Sequence, residues 1–225
     1  MDTLTTEEQQ IAAIKQWWKE NGSSIVTGVV LGLAVLFGGK AWFAYQERTA
    51  QNASNVYVAM MRSLQAGDAL NTGEKAGMLL TDYGSTPYAA LGALALARIR
   101  LEEGETGPAR GQLQWVLDNS DSEMFRDIAS LRLARVQIAD GELDAAEAVL
   151  AKAQSGSAFE ALFTEVRGDI QYARGDLTAA SATYQQALAA MPPGSQEREL
   201  LQLKYADTLA AASSAAASSA AETAE

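Results

Sequence analysis

Hydrophobic and polar positions follow different rhythms in different parts of this chain. Residues 21–39, NGSSIVTGVVLGLAVLFGG, carry no ionisable side chain, and the apolar character extends round every face of the helix they would form. A helix over residues 25–45 reaches about 32 Å, enough to cross a hydrocarbon core of about 30 Å. Lys40 is the one charge inside that window, near an end, where a lysine snorkels towards the headgroups. Trp17 and Trp18 precede the run and Trp42, Phe43 and Tyr45 close it, as the aromatic belts of a spanning helix do. A cleaved leader would begin with basic residues and end in a small-x-small site, and neither is present. The pattern therefore predicts a retained single transmembrane helix over 22–46, with Trp17, Trp18, Lys40, Trp42 and Tyr45 as interface anchors.

Residues 1–21 form a short N-terminal segment in which Ile11, Ile14 and Trp18 recur at amphipathic helical spacing. It lies on the membrane surface or extends the span. Within the span, Ser24, Gly28 and Gly32 recur every four residues on one face, a spacing that lets a second helix approach closely. Lys15 and Lys19 lie before the span and Arg48 and Arg62 after it, so the distribution of basic residues leaves the orientation open.

Beyond residue 46 the rhythm changes to short amphipathic helices with an internal period. ARGDLTAASATYQQAL superposes on IADGELDAAEAVLAKA when Gly175 is set on Gly141, a separation of 34 residues, the tetratricopeptide period. Gly168, Ala180, Tyr184, Ala187 and Pro192 then fall at repeat positions 8, 20, 24, 27 and 32. Ala134, Ala146, Leu150 and Ala153 take the equivalent places one repeat earlier, and Ala97, Ala109, Leu113 and Val116 form a third copy around Gly104. Small residues at positions 8, 20 and 27 allow close helix approach, and the large residue at 24 fills the space beside them. Residues 55–80 read as a further helix pair around Gly67 and Asp68, without the small-residue pattern. In 197–209, Leu200, Leu203 and Leu209 are expected to cover the last apolar face of the stack. The Ala/Ser-rich residues 208–225 are expected to be disordered. The fold class is thus all-α: one N-terminal transmembrane helix, then a tetratricopeptide-repeat-like helical solenoid over 47–207, with the clear repeats at about 90–192.

Composition narrows the chemistry. The 225 residues include no His and no Cys, which removes Ser-His-Asp and Cys-His nucleophile pairs, His or Cys metal sites and disulfides. A net charge of −11 argues against nucleic acid. The neighbouring carboxylates Glu102–Glu103 and Asp140–Glu142 flank inter-helix turns, where acids act as solvated caps, and no set of residues meets the requirements of an active site. No enzyme activity, metal, cofactor or small-molecule substrate is implied.

A repeat stack offers a groove lined by its first helices. The inward positions are Leu94, Arg98 and Leu101; Ile128, Leu131, Arg135 and Ile138; and Glu165, Asp169 and Tyr172. Arg98 and Arg135 share one repeat position and together fit a carboxylate or the carbonyls of an extended peptide. The competing reading makes the apolar members core residues and pairs the arginines with Glu102 or Asp169.

Several blocks resemble the YfgM family of ancillary SecYEG translocon subunits. They are ENG (20–22), GVVLG (28–32), YAALGALALA (88–97), LRLARVQ (131–137), RGD (167–169) and LQLK (201–204). The likeness spans residues 7–209; the Ala/Ser tail departs from it. The resemblance implies a single-pass protein of the bacterial inner membrane, N-terminus cytoplasmic and repeat domain periplasmic. Its partners would be the SecYEG translocon and a membrane-anchored, prolyl-isomerase-like periplasmic chaperone, and its role the handling of secreted or membrane proteins. The alternatives are a structural tether for an envelope assembly complex, a stress-response regulator acting through repeat-mediated protein binding, and a cytosol-facing regulator that uses the repeats on the other side of the membrane.

Overall fold

A computed structural model describes residues 3–152 and 158–222. Among these residues every regular element is helical. The chain divides into two compact units, Met1–Asn52 and Ala53–Glu225. Helix α1 (Thr3–Gln65) contributes to both.

In the first unit the apolar stretch is helical and its described side chains lie in the open. Val29, Val30, Leu31, Val35, Leu36 and Phe37 are all more than half exposed. The apolar window opens at Val26 with a mean hydropathy of 1.7 and no buried share, long and apolar enough to cross a membrane. A core helix of a soluble domain would bury such residues, whereas these lie open as those of a membrane-spanning helix do before a bilayer covers them. Trp17, Trp18, Trp42 and Tyr45 are exposed at the two ends, as is Lys40. No break separates the amphipathic segment from the span, because residues 3–52 are helical throughout. Ser24 is exposed, and a Cβ at Gly28 or Gly32 would meet nothing within 4 Å, so that face is open.

The second unit begins with the last turns of α1, whose Ala53 and Met60 are fully buried against α2 (Ala69–Asp82) and α3 (Pro87–Glu102). There follow α4 (Thr106–Asn119), α5 (Glu123–Ala139), α6 (Leu143–Leu150), α7 (Glu160–Ala173), α8 (Leu177–Ala190) and α9 (Gln196–Glu222). From α2 onward consecutive helices pack on one another, and α5 also meets both α3 and α7, which stacks the pairs in sequence order.

The periodicity has a common physical origin in one turn used four times. Gly67, Gly104, Gly141 and Gly175 have φ between +72° and +84°, the left-handed region that glycine enters without Cβ strain. At each, the glycine N–H and the next N–H donate back to the carbonyls two and three positions inside the preceding helix. After α5 these are Gly141 N to Ile138 O at 3.0 Å and Glu142 N to Gln137 O at 2.8 Å. This closes four first helices in the same way. Asp68 and Asp176 then cap the following helices by accepting from Asn71 N (3.0 Å) and Ala179 N (2.9 Å). The pair around Gly67, which lacks the small-residue signature, is therefore built on the same turn as the clear repeats.

The described signature positions are core except Pro192, which is exposed. Ala97, Ala109, Leu113, Val116, Ala134, Ala146, Leu150, Ala180, Tyr184 and Ala187 are all at most 2% exposed; Ala153 lies outside the described residues. At position 8 of the last repeat only glycine fits, since a Cβ on Gly168 would lie 2.5 Å from the Tyr184 ring. The earlier copies hold alanine there, beside a leucine at position 24.

Two features differ from the sequence reading. Helix α9 packs through Leu201 and Thr208, both fully buried, and through Tyr205, whereas Leu200, Leu203 and Leu209 are 54%, 64% and 44% exposed. The leucines chosen by spacing fall on faces that the neighbouring helices leave open to solvent. The Ala/Ser stretch expected to lack order is helical as far as Glu222, in keeping with alanine's high helix propensity.

Candidate functional site

The first helices of the repeats, α3, α5 and α7, together with α9, line a groove of adjoining cavities. One, of about 360 Å³, lies between α3 and α5 over Ala97, Leu101, Val136 and Ala139, with Arg98, Arg132 and Arg135 around it. A second, of about 500 Å³, is bounded by Ile138, Tyr172, Ala173, Tyr184 and Thr208, with Asp169 and Asp207 beside them. A third, of about 490 Å³, brings Leu200 and Leu203 of α9 next to Glu165, Glu197 and Asp207. Arg135 and Lys204 connect these spaces, and Arg135 borders all three.

Arg98, Leu101, Arg135, Ile138, Glu165, Asp169 and Tyr172 therefore come together as the spacing predicts. Leu94 and Leu131 do not: at 6% and 4% exposed they belong to the core, and Ile128 packs against the same core as Leu94. They share helix faces with Arg98 and Arg135, but one turn or two earlier, where neighbouring helices close over them. The groove opens over the C-terminal halves of α3 and α5. The arginines do pair with acids: Arg98 Nε donates to Glu102 at 2.7 Å, while Arg135 lies 3.7 Å from Glu165 rather than against Asp169.

The groove floor contains a polar network that sequence spacing missed. Lys204 Nζ donates to Glu165 Oε1 at 2.7 Å and to both Asp169 oxygens at 2.8 Å, and the Tyr184 hydroxyl donates to Asp169 Oδ1 at 2.8 Å. Glu165 is only 7% exposed in its side chain, so its charge requires this compensation. Burial, then the Asp169 charge, pushes the Tyr184 hydroxyl pKa upward, so it stays a protonated donor. The network ties α7, α8 and α9 together. Its signal in the sequence is a pair of acids four apart on a first helix, Glu165 and Asp169, which demands a cation that only the fold supplies.

Arg132 is the other residue missed. It lies three before Arg135 on the same side of α5, and its guanidinium donates to the Leu94 carbonyl at 3.4 Å. No carboxylate pairs with it among the described residues. Partial desolvation of this otherwise exposed side chain, then the nearby charges of Arg98 and Arg135, lower its pKa from the ordinary value.

The adjacent carboxylates have structural roles. Arg100 donates to Glu103 (3.1 Å) and Glu105 (2.8 Å), and Arg110 of α4 donates to Glu142 Oε1 at 2.8 Å and lies 3.5 Å from Asp140. The Arg110 hydrogen bond holds the Glu142 carboxyl below its usual range, the reverse of what a general acid needs. Among the described residues no acidic cluster is arranged to hold a metal ion.

An apolar helix fit to span a bilayer, a stack of helix pairs closed by one recurrent glycine turn, and a groove along its first helices define a membrane-anchored helical repeat protein. A family model described as a tetratricopeptide repeat-like domain matches residues 15–211. Over 201 residues the chain is 32% identical to a protein of Haemophilus influenzae named ancillary SecYEG translocon subunit, covering 88% of this chain and 95% of that one. Proteins of the same name from Escherichia coli (28% identical, 82% and 88% covered) and Neisseria gonorrhoeae (29%, 88% and 95%) are also similar. No solved structure matches the chain. The chain belongs to the family of ancillary SecYEG translocon subunits with a tetratricopeptide repeat-like domain.

Proposed function

We propose that this protein is an accessory subunit of the SecYEG translocon that acts by binding polypeptide, not by catalysis. Its single span anchors it in the bacterial inner membrane. The repeat domain faces the periplasm and receives extended segments of emerging chains in the groove along α3, α5, α7 and α9. From there it cooperates with a membrane-anchored, prolyl-isomerase-like periplasmic chaperone. The observation that carries this reading is the extent of the likeness to the Haemophilus influenzae translocon subunit. It covers 95% of that protein, so anchor and repeats match as one architecture. The groove supports it physically, since it combines apolar floor with charged walls along several consecutive helices.

The test is purification of the tagged protein from native membranes in mild detergent, with identification of what accompanies it. Translocon subunits and a periplasmic chaperone in stable proportion are the expected result. Recovery with an envelope assembly complex and without translocon subunits would overturn the proposal in favour of a tether. Protease digestion of intact spheroplasts tests the orientation: a periplasmic repeat domain is degraded, a cytosolic one survives.

A further inference from the structure

The groove is divided by charge. At its α3–α5 end the cavity is bordered by Arg98, Arg132 and Arg135 and by no acid. At its α7–α9 end, which Arg135 also borders, Lys204 is occupied by Glu165 and Asp169, while Asp207 and Glu197 line the cavities without an ion-pair partner among the described residues. Apolar floor joins the two ends through Ala139, Ile138 and Tyr172. In a chain of net charge −11, an arginine cluster beside an apolar cavity is a local inversion of the protein's field.

We propose that the groove selects its polypeptide by this polarity: the bound segment presents a carboxylate to Arg98, Arg132 and Arg135 and a basic side chain to Asp207 and Glu197, with apolar side chains between. The inference rests on the polypeptide-binding reading above and specifies the ligand class of that site. Arg132 is the key residue on the cationic side. Arg98 already has Glu102, and Arg135 lies near Glu165, whereas among the described residues the Arg132 guanidinium has one long bond to a carbonyl and no carboxylate. An incoming carboxylate relieves the mutual repulsion of three arginines and gains charge-assisted hydrogen bonds. On the acidic side an ammonium or guanidinium finds two carboxylates beside the exposed Leu200 and Leu203, which cover its aliphatic stem. Arg98 and Arg132, in the α3–α5 cavity, are separated from the α9 acids by up to two helix spacings, about 16–20 Å at roughly 8–10 Å per spacing. An extended chain covers that distance in about six residues at ~3.3 Å each.

The test uses the full chain in nanodiscs and labelled peptides that share one apolar centre and differ only at two positions six apart. These carry Asp and Lys, Lys and Lys, Asp and Asp, or Gln and Gln, and binding is read by fluorescence anisotropy. The Asp/Lys peptide is expected to bind about tenfold or more tightly than the Gln/Gln peptide, as hydrogen bonds to charged groups imply. Arg132→Gln is expected to abolish the advantage conferred by Asp, and Asp207→Asn that conferred by Lys, with Gln/Gln binding unchanged in both. Both side chains are exposed, and an unchanged melting temperature verifies that the variants fold. Equal binding of all four peptides, or loss of Gln/Gln binding along with Asp/Lys binding in Arg132→Gln, overturns the polarity while leaving a polypeptide groove. Binding of none of them overturns the groove reading as well.

Discussion

Gly168 and Tyr184 form a steric pair whose energetics can be worked out in both directions. A Cβ at Gly168 would sit 2.5 Å from Cδ1 and from Cε1 of Tyr184. Carbon atoms in good contact are about 3.5–4.0 Å apart, so Gly168→Ala creates an overlap of roughly 1 Å with two ring atoms. The ring is not free to retreat. It is 2% exposed, and its hydroxyl is held to Asp169, which is itself held by Lys204. Overpacking of this kind costs about 1–3 kcal/mol or more. Against it stands the gain of about 1 kcal/mol from replacing glycine by alanine inside a helix. With two ring atoms overlapped the clash wins, and the net loss is up to about 2 kcal/mol, a fall in melting temperature of up to roughly 8 °C for a chain of this size.

The same substitution changes sign in a Tyr184→Leu background. Leucine stands at this repeat position in the earlier copies, as Leu113 beside Ala97 and Leu150 beside Ala134, all buried. Without the ring only the helix-propensity gain remains, so Gly168→Ala then stabilises by up to about 1 kcal/mol. The assay is thermal and urea unfolding of wild type, both single variants and the double variant, followed by circular dichroism. A coupling of about 2 kcal/mol between the two sites is expected for residues in contact. If Gly168→Ala raises the melting temperature alone, or lowers it equally in both backgrounds, the steric account of position 8 is refuted.

Other outcomes follow from the same geometry. Lys204→Met strips the cation from Glu165 and Asp169 and is expected to cost about 2 kcal/mol in urea unfolding, less than a fully buried pair because Lys204 is 39% exposed. Asp169→Asn in that variant is expected to recover part of the loss, and no recovery would mean that the network is not the cause. Gly141→Ala places a Cβ at φ +78° and is expected to destabilise by about 1 kcal/mol, seen as a lower melting temperature. Glu142 is held below its ordinary 4.5 by the Arg110 hydrogen bond. A carboxyl whose pKa is depressed on folding adds stability above its unfolded value and loses it as the pH falls through the folded value. Glu142→Gln is therefore expected to be less stable than wild type at neutral pH and to converge on it well below pH 4.5; a gap independent of pH would point away from the ion pair.

The sequence by itself determined what depends on near neighbours along the chain. A run without ionisable side chains, long enough for a hydrocarbon core and flanked by aromatics, marks a candidate spanning helix whatever follows it, because length and solvation are local properties. The inter-helix glycines at 104, 141 and 175 and the small residues at positions 8, 20 and 27 fix helix pairs, because each acts within one turn or one repeat. That Arg98, Arg135 and Tyr172 share cavities follows from the same periodicity, since a first helix keeps one face on one side of the stack. What only the tertiary structure decided is how far along each helix that face stays open. Leu94 and Leu131 have the right angular position, yet neighbouring helices cover them, and coverage depends on how helices stack, which no single helix encodes. For the same reason Lys204 finds Glu165, 39 residues away, and α9 turns Leu201 inward and Leu200 outward. Helical periodicity says which residues share a face; only the packed neighbours say which face is buried.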